Sequence, residues 1–232
     1  MTHTGSRMAD APQHATWDEL FRRWEEARAI SSKATDAPMQ AARKRVARNT
    51  PDDWQWLTEA LADEERRWFV ALVFERQTLP RRLLGAMVRA GVLTRNPSSN
   101  RRFIEPCVEA YGGRRVLELL LRYLETGSDA EKAGAVSAEY WVRGNEDLAD
   151  LRERFRCRML REFVGNPDLE VRRRIIPLLE LDPKVYPQEL RPLVPVAIQV
   201  ARSHPDEYIR HRVEVQLGAN VLLKPIPNTG AG

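Results

Sequence analysis

The sequence predicts an all-α protein, and three observations support this fold class. Apolar residues recur every three or four positions along most of the chain, which is the helical period. Polar breaks with Pro, Gly, Ser or Asn separate segments of roughly 10–17 residues. Alternating apolar and polar runs and the Asn-Gly dipeptides of tight hairpins are absent from the sequence, so no strand is expected.

The composition fits a folded, water-soluble chain. Its 232 residues are 43% hydrophobic and 30% charged, enough for one large domain or two small ones. Two cysteines do not make a disulfide framework, so we expect a reducing, cytoplasmic location. No apolar run approaches the roughly 20 residues of a membrane span. Residues 1–15 lack the apolar segment of a signal peptide and are predicted to form a disordered leader.

The first ordered segment, residues 16–49, is predicted to contain two capping helices. Thr16 is a favourable N-cap for the helix WDELFRRWEEARAI, whose apolar residues fall on one face. Asp36 is predicted to cap a short basic helix that continues through Ala47. A strong start signal follows, because Thr50 can cap a helix that has Pro51 at its first position.

Ten further helices are predicted, and they form pairs. They cover about 52–61, 64–77, 80–91, 99–110, 113–126, 129–142, 147–164, 168–180, 187–203 and 206–217. The second helices of the pairs begin near Asp63, Ser98, Asp129, Pro167 and Pro205. A two-helix period of roughly 30–40 residues is typical of an α-solenoid. We therefore predict an α-α superhelix of about five pairs over residues 50–217, followed by an extended tail over 218–232.

Two segments 38 residues apart are nearly the same: NPDLEVRRRIIPLL from Asn166 and HPDEYIRHRVEVQL from His204. Their prolines are predicted in the first helical turn, where a missing N–H is tolerated. Asp168 and Asp206 would lie at the positive end of the helix dipole. The residues predicted to face inward are Val171, Ile175, Leu178, Leu179, Ile209, Val213 and Leu217.

These two segments resemble the start of the second helix in HEAT repeats, which are armadillo-like helical repeats. The matching motifs are Asp168-x-x-Val171-Arg172 and Asp206-x-x-Ile209-Arg210, whereas the units at Asp63 and Asp129 match only loosely. The resemblance covers about residues 52–217, with two clear and three degenerate units. It implies that the second helices line a concave face and that Arg172 reaches Asp206 or Asp168. Arg173, Arg174, His211 and Arg212 would then be freer to meet a partner.

Basic residues early in the second helices are the candidate binding residues. Four clusters occupy the same place in their pairs, so a regular stack would align them as a basic stripe. The alternative is that neighbouring Asp and Glu residues neutralise each cluster. Trp141 is expected to be exposed, because Tyr140 and Trp141 cannot both point inward. The full candidate set is Arg66, Arg67, Arg101, Arg102, Trp141, Arg143, Arg173, Arg174, His211 and Arg212.

Nothing in the sequence indicates catalysis, a cofactor or a metal. There is no nucleophile elbow, phosphate-binding loop or dinucleotide fingerprint. Cys107 and Cys157 lie in amphipathic helices, where core packing is expected. His204 and His211 are seven residues apart, but no further ligand completes a metal site.

The leading functional hypothesis is a non-enzymatic scaffold that binds an acidic segment of a protein partner on the basic concave face. The alternative is nucleic-acid binding. HEAT-like DNA glycosylases for alkylated bases are similar in architecture, but there a Trp and a catalytic Asp lie one turn apart. No Trp here has Asp four residues later, which argues against that activity. A third hypothesis is dimerisation through the helix of Trp17, Phe21 and Trp24, which could instead cap the first repeat.

Overall fold

The computed structural model describes residues 15–142 and 147–222, with side chains described up to residue 218. The chain divides into two compact units, unit 1 (Met1–Gln77) and unit 2 (Thr78–Gly232). Over the described ranges every regular element is helical and eleven α-helices are found, which confirms the predicted all-α class. None of these helices combines the length and apolar character needed to cross a membrane.

Unit 1 contains four helices: α1 (Trp17–Ile30), α2 (Asp36–Val46), α3 (Pro51–Ala62) and α4 (Arg66–Phe74). Two of them begin at the predicted capping residues. Thr16 accepts a hydrogen bond from the Glu19 amide while the Glu19 carboxylate reaches back to the Thr16 amide, and Thr50 forms the same box with Asp53. Each box satisfies two backbone donors that the first helical turn leaves without partners.

Aromatic rings fill the centre of unit 1. The Phe69 ring is buried, and its centroid lies 6.2 Å from Trp17, 5.7 Å from Phe21, 5.5 Å from Trp24 and 6.4 Å from Trp56. The apolar face of α1 is therefore used inside unit 1. This packing counts against the hypothesis that its rings form a dimerisation arm.

Unit 2 contains the remaining helices. They are α5 (Leu84–Val92), α6 (Arg101–Thr126), α7 (Asp129–Glu139), α8 (Ala149–Gly165), α9 (Leu169–Ile175), α10 (Leu193–Arg202) and α11 (Glu207–Leu222). The predicted break at Gly112-Gly113 interrupts α6, because Gly112 has φ 79° and ψ 156°. Residues with a side chain rarely adopt this conformation. Gly112 thus separates α6 into the two helices that the sequence predicts.

The helices of unit 2 form two rows. In one row α5 packs against α7, α7 against α9 and α9 against α11, and in the other α6 packs against α8 and α8 against α10. Arg89 of α5 bonds Glu131 of α7, and Val92 of α5 lies against Gly134 of α7, so both contacts join residues 42 apart. A constant offset means that α5 and α7 run in the same direction.

Prolines shorten two of the predicted helices. α9 ends at Ile175 rather than near 180, and a tighter turn over Ile176–Leu178 follows. Pro177 explains the early end, since it has no N–H and its ring clashes with the preceding turn. Leu178 consequently points outward and is 42% exposed, contrary to the prediction. α10 begins at Leu193 rather than 187, because turns occupy the segment that contains Pro187 and Pro192.

The prediction that the two prolines of the near-repeat lie in the first helical turn is wrong. Asp168 is the N-cap of α9 and Asp206 directly precedes α11, so Pro167 and Pro205 stand before the cap rather than in the first turn. The aspartate carboxylates determine this arrangement, because they take the backbone N–H groups of the first turn.

The predicted tail is partly helical. α11 continues to Leu222, so residues 218–222 are not extended. A single glycine such as Gly218 is tolerated inside a helix at about 1 kcal/mol relative to alanine. The rest of the tail, residues 223–232, lies outside the described residues, as do residues 1–14 of the leader and Arg143.

Candidate functional site

The Asp-x-x-x-Arg motif forms a repeated corner between two helices. The carboxylate of its aspartate accepts a hydrogen bond from the amide three residues later. The distances are 2.9 Å from Arg66 to Asp63, 2.9 Å from Val171 to Asp168 and 3.2 Å from Ile209 to Asp206. The corner therefore occurs in both units, including the position at Asp63 where the sequence resemblance is loose.

The arginine four residues after each aspartate turns back to the end of the preceding segment. Arg67 donates to the carbonyl of Asp63 at 3.0 Å, and Arg172 donates to that of Phe163 at 3.2 Å. Arg210 donates to the carbonyls of His204 and Pro205 at 2.6 and 2.7 Å. These guanidinium groups satisfy carbonyls that a helix end leaves without partners. Arg67 is buried, so it does not belong to a surface stripe.

Arg173, and not Arg172, links neighbouring helices of the row. Its guanidinium reaches the Asp206 carboxylate at 2.6 Å and Glu170 at 3.2 Å. The prediction that Arg172 makes this contact is wrong, because Arg172 is directed back to the end of α8. The hydrogen bond from Arg173 lowers the pKa of Asp206 below its ordinary value.

Acids neutralise much of the predicted stripe. Arg66 lies 3.7 Å from Asp63, Arg101 2.8 Å from Glu105, and Arg174 3.7 Å from Glu170. Arg102 also has an interaction partner within the protein. His211 is exposed and Arg212 is half-buried on α11. The pairing favours the alternative in which neighbouring acids balance these clusters.

Of the two aromatic residues after α7, Tyr140 is the more exposed one and not Trp141, contrary to the prediction. Trp141 is half-buried, and its indole N–H donates to the Pro97 carbonyl at 3.1 Å, whereas Tyr140 is 58% exposed. The Arg101 guanidinium lies 5.8 Å from the centre of the Trp141 ring. Trp141 thus holds the turn before α6 and is not the exposed aromatic residue.

A groove in unit 2 brings together residues from α5, α7 and α9. Its volume is about 480 Å³. We call it the α7 groove. Its lining residues are Val92, Leu93, Thr94, Arg95, Ala130, Ala133, Gly134, Ser137, Asp168, Glu170 and Arg174. Of the residues predicted to bind a partner, this site contains Arg174.

Small residues of α7 form the floor of the α7 groove. Ala130, Ala133, Gly134 and Ser137 follow the spacing of one helical face. A Cβ atom at Gly134 would lie 1.8 Å from the Val92 carbonyl oxygen, so the two backbones are in direct contact. The small side chains allow this approach and leave the space beside it open.

A buried asparagine holds the wall of the α7 groove. The side chain of Asn100 is fully buried. With its amide nitrogen oriented to donate, it lies 3.3 Å from the Gly91 carbonyl, 3.2 Å from that of Thr94 and 3.0 Å from that of Asn96. The Thr94 hydroxyl donates to the Ala90 carbonyl at 2.7 Å. The turn after α5 is therefore fixed by internal hydrogen bonds.

The charged residues around the α7 groove differ in whether they have a partner within the protein. Asp168 caps α9, and Glu170 is shared by Arg173 and Arg174. Arg95 is exposed, and across the described ranges no hydrogen bond or ion pair is found for its guanidinium. Arg95 is thus a cation at the rim that an acidic group can approach.

The sequence-based candidates omitted the features that shape this site. Arg95 stands outside the Arg pairs and clusters, and Asn100 falls within the predicted helix 99–110. The floor of the groove could have been predicted, because small residues recur at positions 130, 133, 134 and 137 of a predicted helix. That signal does not reveal which helix approaches.

The described residues offer no obvious reactive centre. Burial raises the pKa of the Cys107 and Cys157 thiols, and both cysteines are free and buried. Within the part of the chain that the structure describes, no three His, Cys, Asp or Glu residues are grouped so as to hold a metal ion. In comparisons with protein-family models, curated proteins and solved structures, nothing matches this chain.

Proposed function

We propose that this protein is a HEAT-like helical-repeat scaffold that binds an extended segment of a partner protein in the α7 groove. The observation that carries the proposal is the groove itself, with its small-residue floor and fixed wall across three helices. The two rows of unit 2 and the repeated Asp–Arg corners support the repeat architecture. The free, buried cysteines support a reducing compartment such as the cytoplasm.

Binding fits the lining of the groove better than catalysis does. The Ser137 hydroxyl donates to the Ala133 carbonyl, and the Asp168 and Glu170 carboxylates have partners. A group that is committed in this way is poorly placed to transfer a proton to a substrate. The same internal bonds hold the groove open and in shape, which reduces the cost of ordering when a segment binds.

The charges of the groove narrow the choice of partner. A segment with small or aliphatic side chains would cover the α7 floor, and one carboxylate would meet Arg95. A long acidic run is not required, because Glu170 already balances Arg174. A hydrogen bond to a charged group contributes about 1.5–3 kcal/mol.

Selection of peptides from a displayed random library on the full chain would test this function. We expect the selected peptides to share an Asp or Glu beside small apolar residues. Ala130→Trp would place an indole in the groove and abolish their binding. Ala149→Trp is the matched control, because Ala149 is also an exposed alanine, in the first turn of α8.

Charge reversal would test the role of Arg95. Arg95→Glu should weaken the selected peptides by about tenfold or more, since a charge-assisted bond becomes a repulsion. Arg122→Glu makes the same change on the exposed side of α6 and should leave affinity unchanged. Equal binding by the wild type and Ala130→Trp would contradict the proposed site.

Nucleic-acid binding stays the alternative prediction. Phosphates would have to compete with the acids that already hold Arg66, Arg101, Arg173 and Arg174. If binding occurs through phosphates, its affinity must fall steeply as salt rises. Fluorescence anisotropy with single- and double-stranded DNA and RNA at two salt concentrations would measure this dependence.

A further inference from the structure

The first turns of α9 and α11 are equivalent. Asp168 and Asp206 occupy the same position, 38 residues apart, and each accepts the amide three residues later. With this offset His211 corresponds to Arg173, and Arg212 corresponds to Arg174. The equivalence covers these first turns, because α9 ends at Ile175 while α11 continues.

Two helices of this row, α5 and α9, contact the next helix through a basic side chain and an acid. Arg89 of α5 bonds Glu131, in the first turn of α7, at 3.2 Å. Arg173 of α9 bonds Asp206, immediately before α11, at 2.6 Å. Arg173 is therefore the residue through which α9 contacts the next helix, and His211 is its equivalent on α11.

On α11 none of the residues that the structure describes covers the equivalent position. His211 is exposed, and the Nε of half-buried Arg212 is a buried donor with no hydrogen-bond partner. Tyr208 lies one turn before His211 and is 46% exposed. Val215 lies one turn after His211 and is 44% exposed. These four residues share one face of α11 by helical spacing. The face is basic in its middle and apolar at both ends.

We propose that this face of α11 docks a helix of a partner protein that carries Asp or Glu in its first turn. The acid would meet His211 and Arg212 as Asp206 meets Arg173, and apolar residues of the incoming helix would cover Tyr208 and Val215. Charge complementarity selects a helix whose acid is free, whereas in a second folded copy of this chain Asp206 is already held by Arg173. The inference does not depend on the α7 groove.

The natural probe is the helix that α9 itself receives. A covalently stapled, fluorescent peptide with the sequence of residues 205–217, PDEYIRHRVEVQL, would be titrated with the full chain. We expect saturable binding, weakened about fivefold when the peptide carries Asp206→Asn. Asparagine still caps a helix, so this change removes the charge and keeps the helical start.

Variants of the protein give the decisive comparison. His211→Arg recreates the residue of α9 and should tighten peptide binding, whereas His211→Glu should abolish it. Ser98→Glu adds the same negative charge at an exposed position in the turn before α6 and should have no effect. Because His211→Arg predicts a gain, misfolding cannot produce the expected result.

Two outcomes would overturn the proposal. One is equal affinity of the wild type, His211→Arg and His211→Glu for the peptide, which would mean that the face does not receive an acidic helix start. The other is dimerisation of the wild type in analytical ultracentrifugation that His211→Glu removes, which would identify a second copy as the occupant.

Discussion

In unit 1 helices enclose a cluster of aromatic rings, whereas in unit 2 a glycine of α7 lets its backbone touch that of α5. Phe69 touches four other rings, so large side chains fill the volume between the helices. At Gly134 the backbones themselves are in contact. In unit 2 the α7 groove lies beside this backbone contact.

The comparison shows that one contact between helices can be weakened by removing atoms and another by adding them. A core filled by large rings is weakened when atoms are removed, because a cavity remains. A contact between backbones is weakened when atoms are added, because nothing can move aside without strain. Substitutions in the two regions therefore distinguish the two kinds of packing.

The largest effect is expected from Phe69→Ala in unit 1. Loss of a buried Phe costs about 3–5 kcal/mol of unfolding free energy. Tryptophan fluorescence during denaturation would measure it, because five of the six tryptophans lie in unit 1. Ile30→Ala removes an exposed apolar side chain of the same unit and should change stability by less than about 0.5 kcal/mol. A similar loss in both variants would mean that the rings of unit 1 do not form a packed core.

Gly134→Ala is expected to have the next largest effect. Alanine normally favours a helix over glycine, but the new methyl would overlap the Val92 carbonyl, and overpacking costs about 1–3 kcal/mol. Gly85→Ala is the control within the same row, since its methyl would meet nothing within 4 Å. That control should stabilise the protein by about 0.5–1 kcal/mol. Calorimetry that finds the same sign for both substitutions would refute the backbone contact.

The smallest effect concerns acid sensitivity. The hydrogen bond from Arg173 lowers the pKa of Asp206, so the ionised carboxylate stabilises the fold above its unfolded pKa of about 3.9. This stabilisation is lost as the pH falls through the lower folded pKa. Arg173→Gln should therefore reduce the dependence of unfolding free energy on pH below about 4.

Asp53 in unit 1 provides the comparison for that experiment. Burial alone would raise the pKa of Asp53, but hydrogen bonds from Thr50 and Arg45 lower it overall. Its titration should be unchanged by Arg173→Gln and can be followed by NMR of the carboxyl carbons. If Asp206 also titrates as before, Arg173 does not hold that carboxylate.

Helix positions were predictable because their causes are local. Thr16, Thr50 and Asp168 cap helices through side-chain oxygens that the sequence displays, and Gly112 breaks α6 as a Gly-Gly pair suggests. The end of α9 was also local, since Pro177 accounts for it, but the prediction gave it too little weight.

The site was less predictable because its contacts are distant in sequence. Val92 and Gly134 touch across 42 residues, and no local pattern states which helix will approach the small face of α7. The sequence also does not show in which direction a long side chain will point. Arg172 and Arg173 are adjacent and identical in type, yet one turns back to α8 and the other reaches Asp206.

The Asp–Arg corners also bear on how the chain folds. Phe163, Asp168 and Arg172 lie within ten residues of one another, so the bonds of that corner close a very short loop. Short loops form in about 10–100 ns and do not wait for distant segments to meet. Each corner can thus set the reversal of the chain early, before the rows assemble. A topology built on such local contacts has a low contact order, which favours rapid folding.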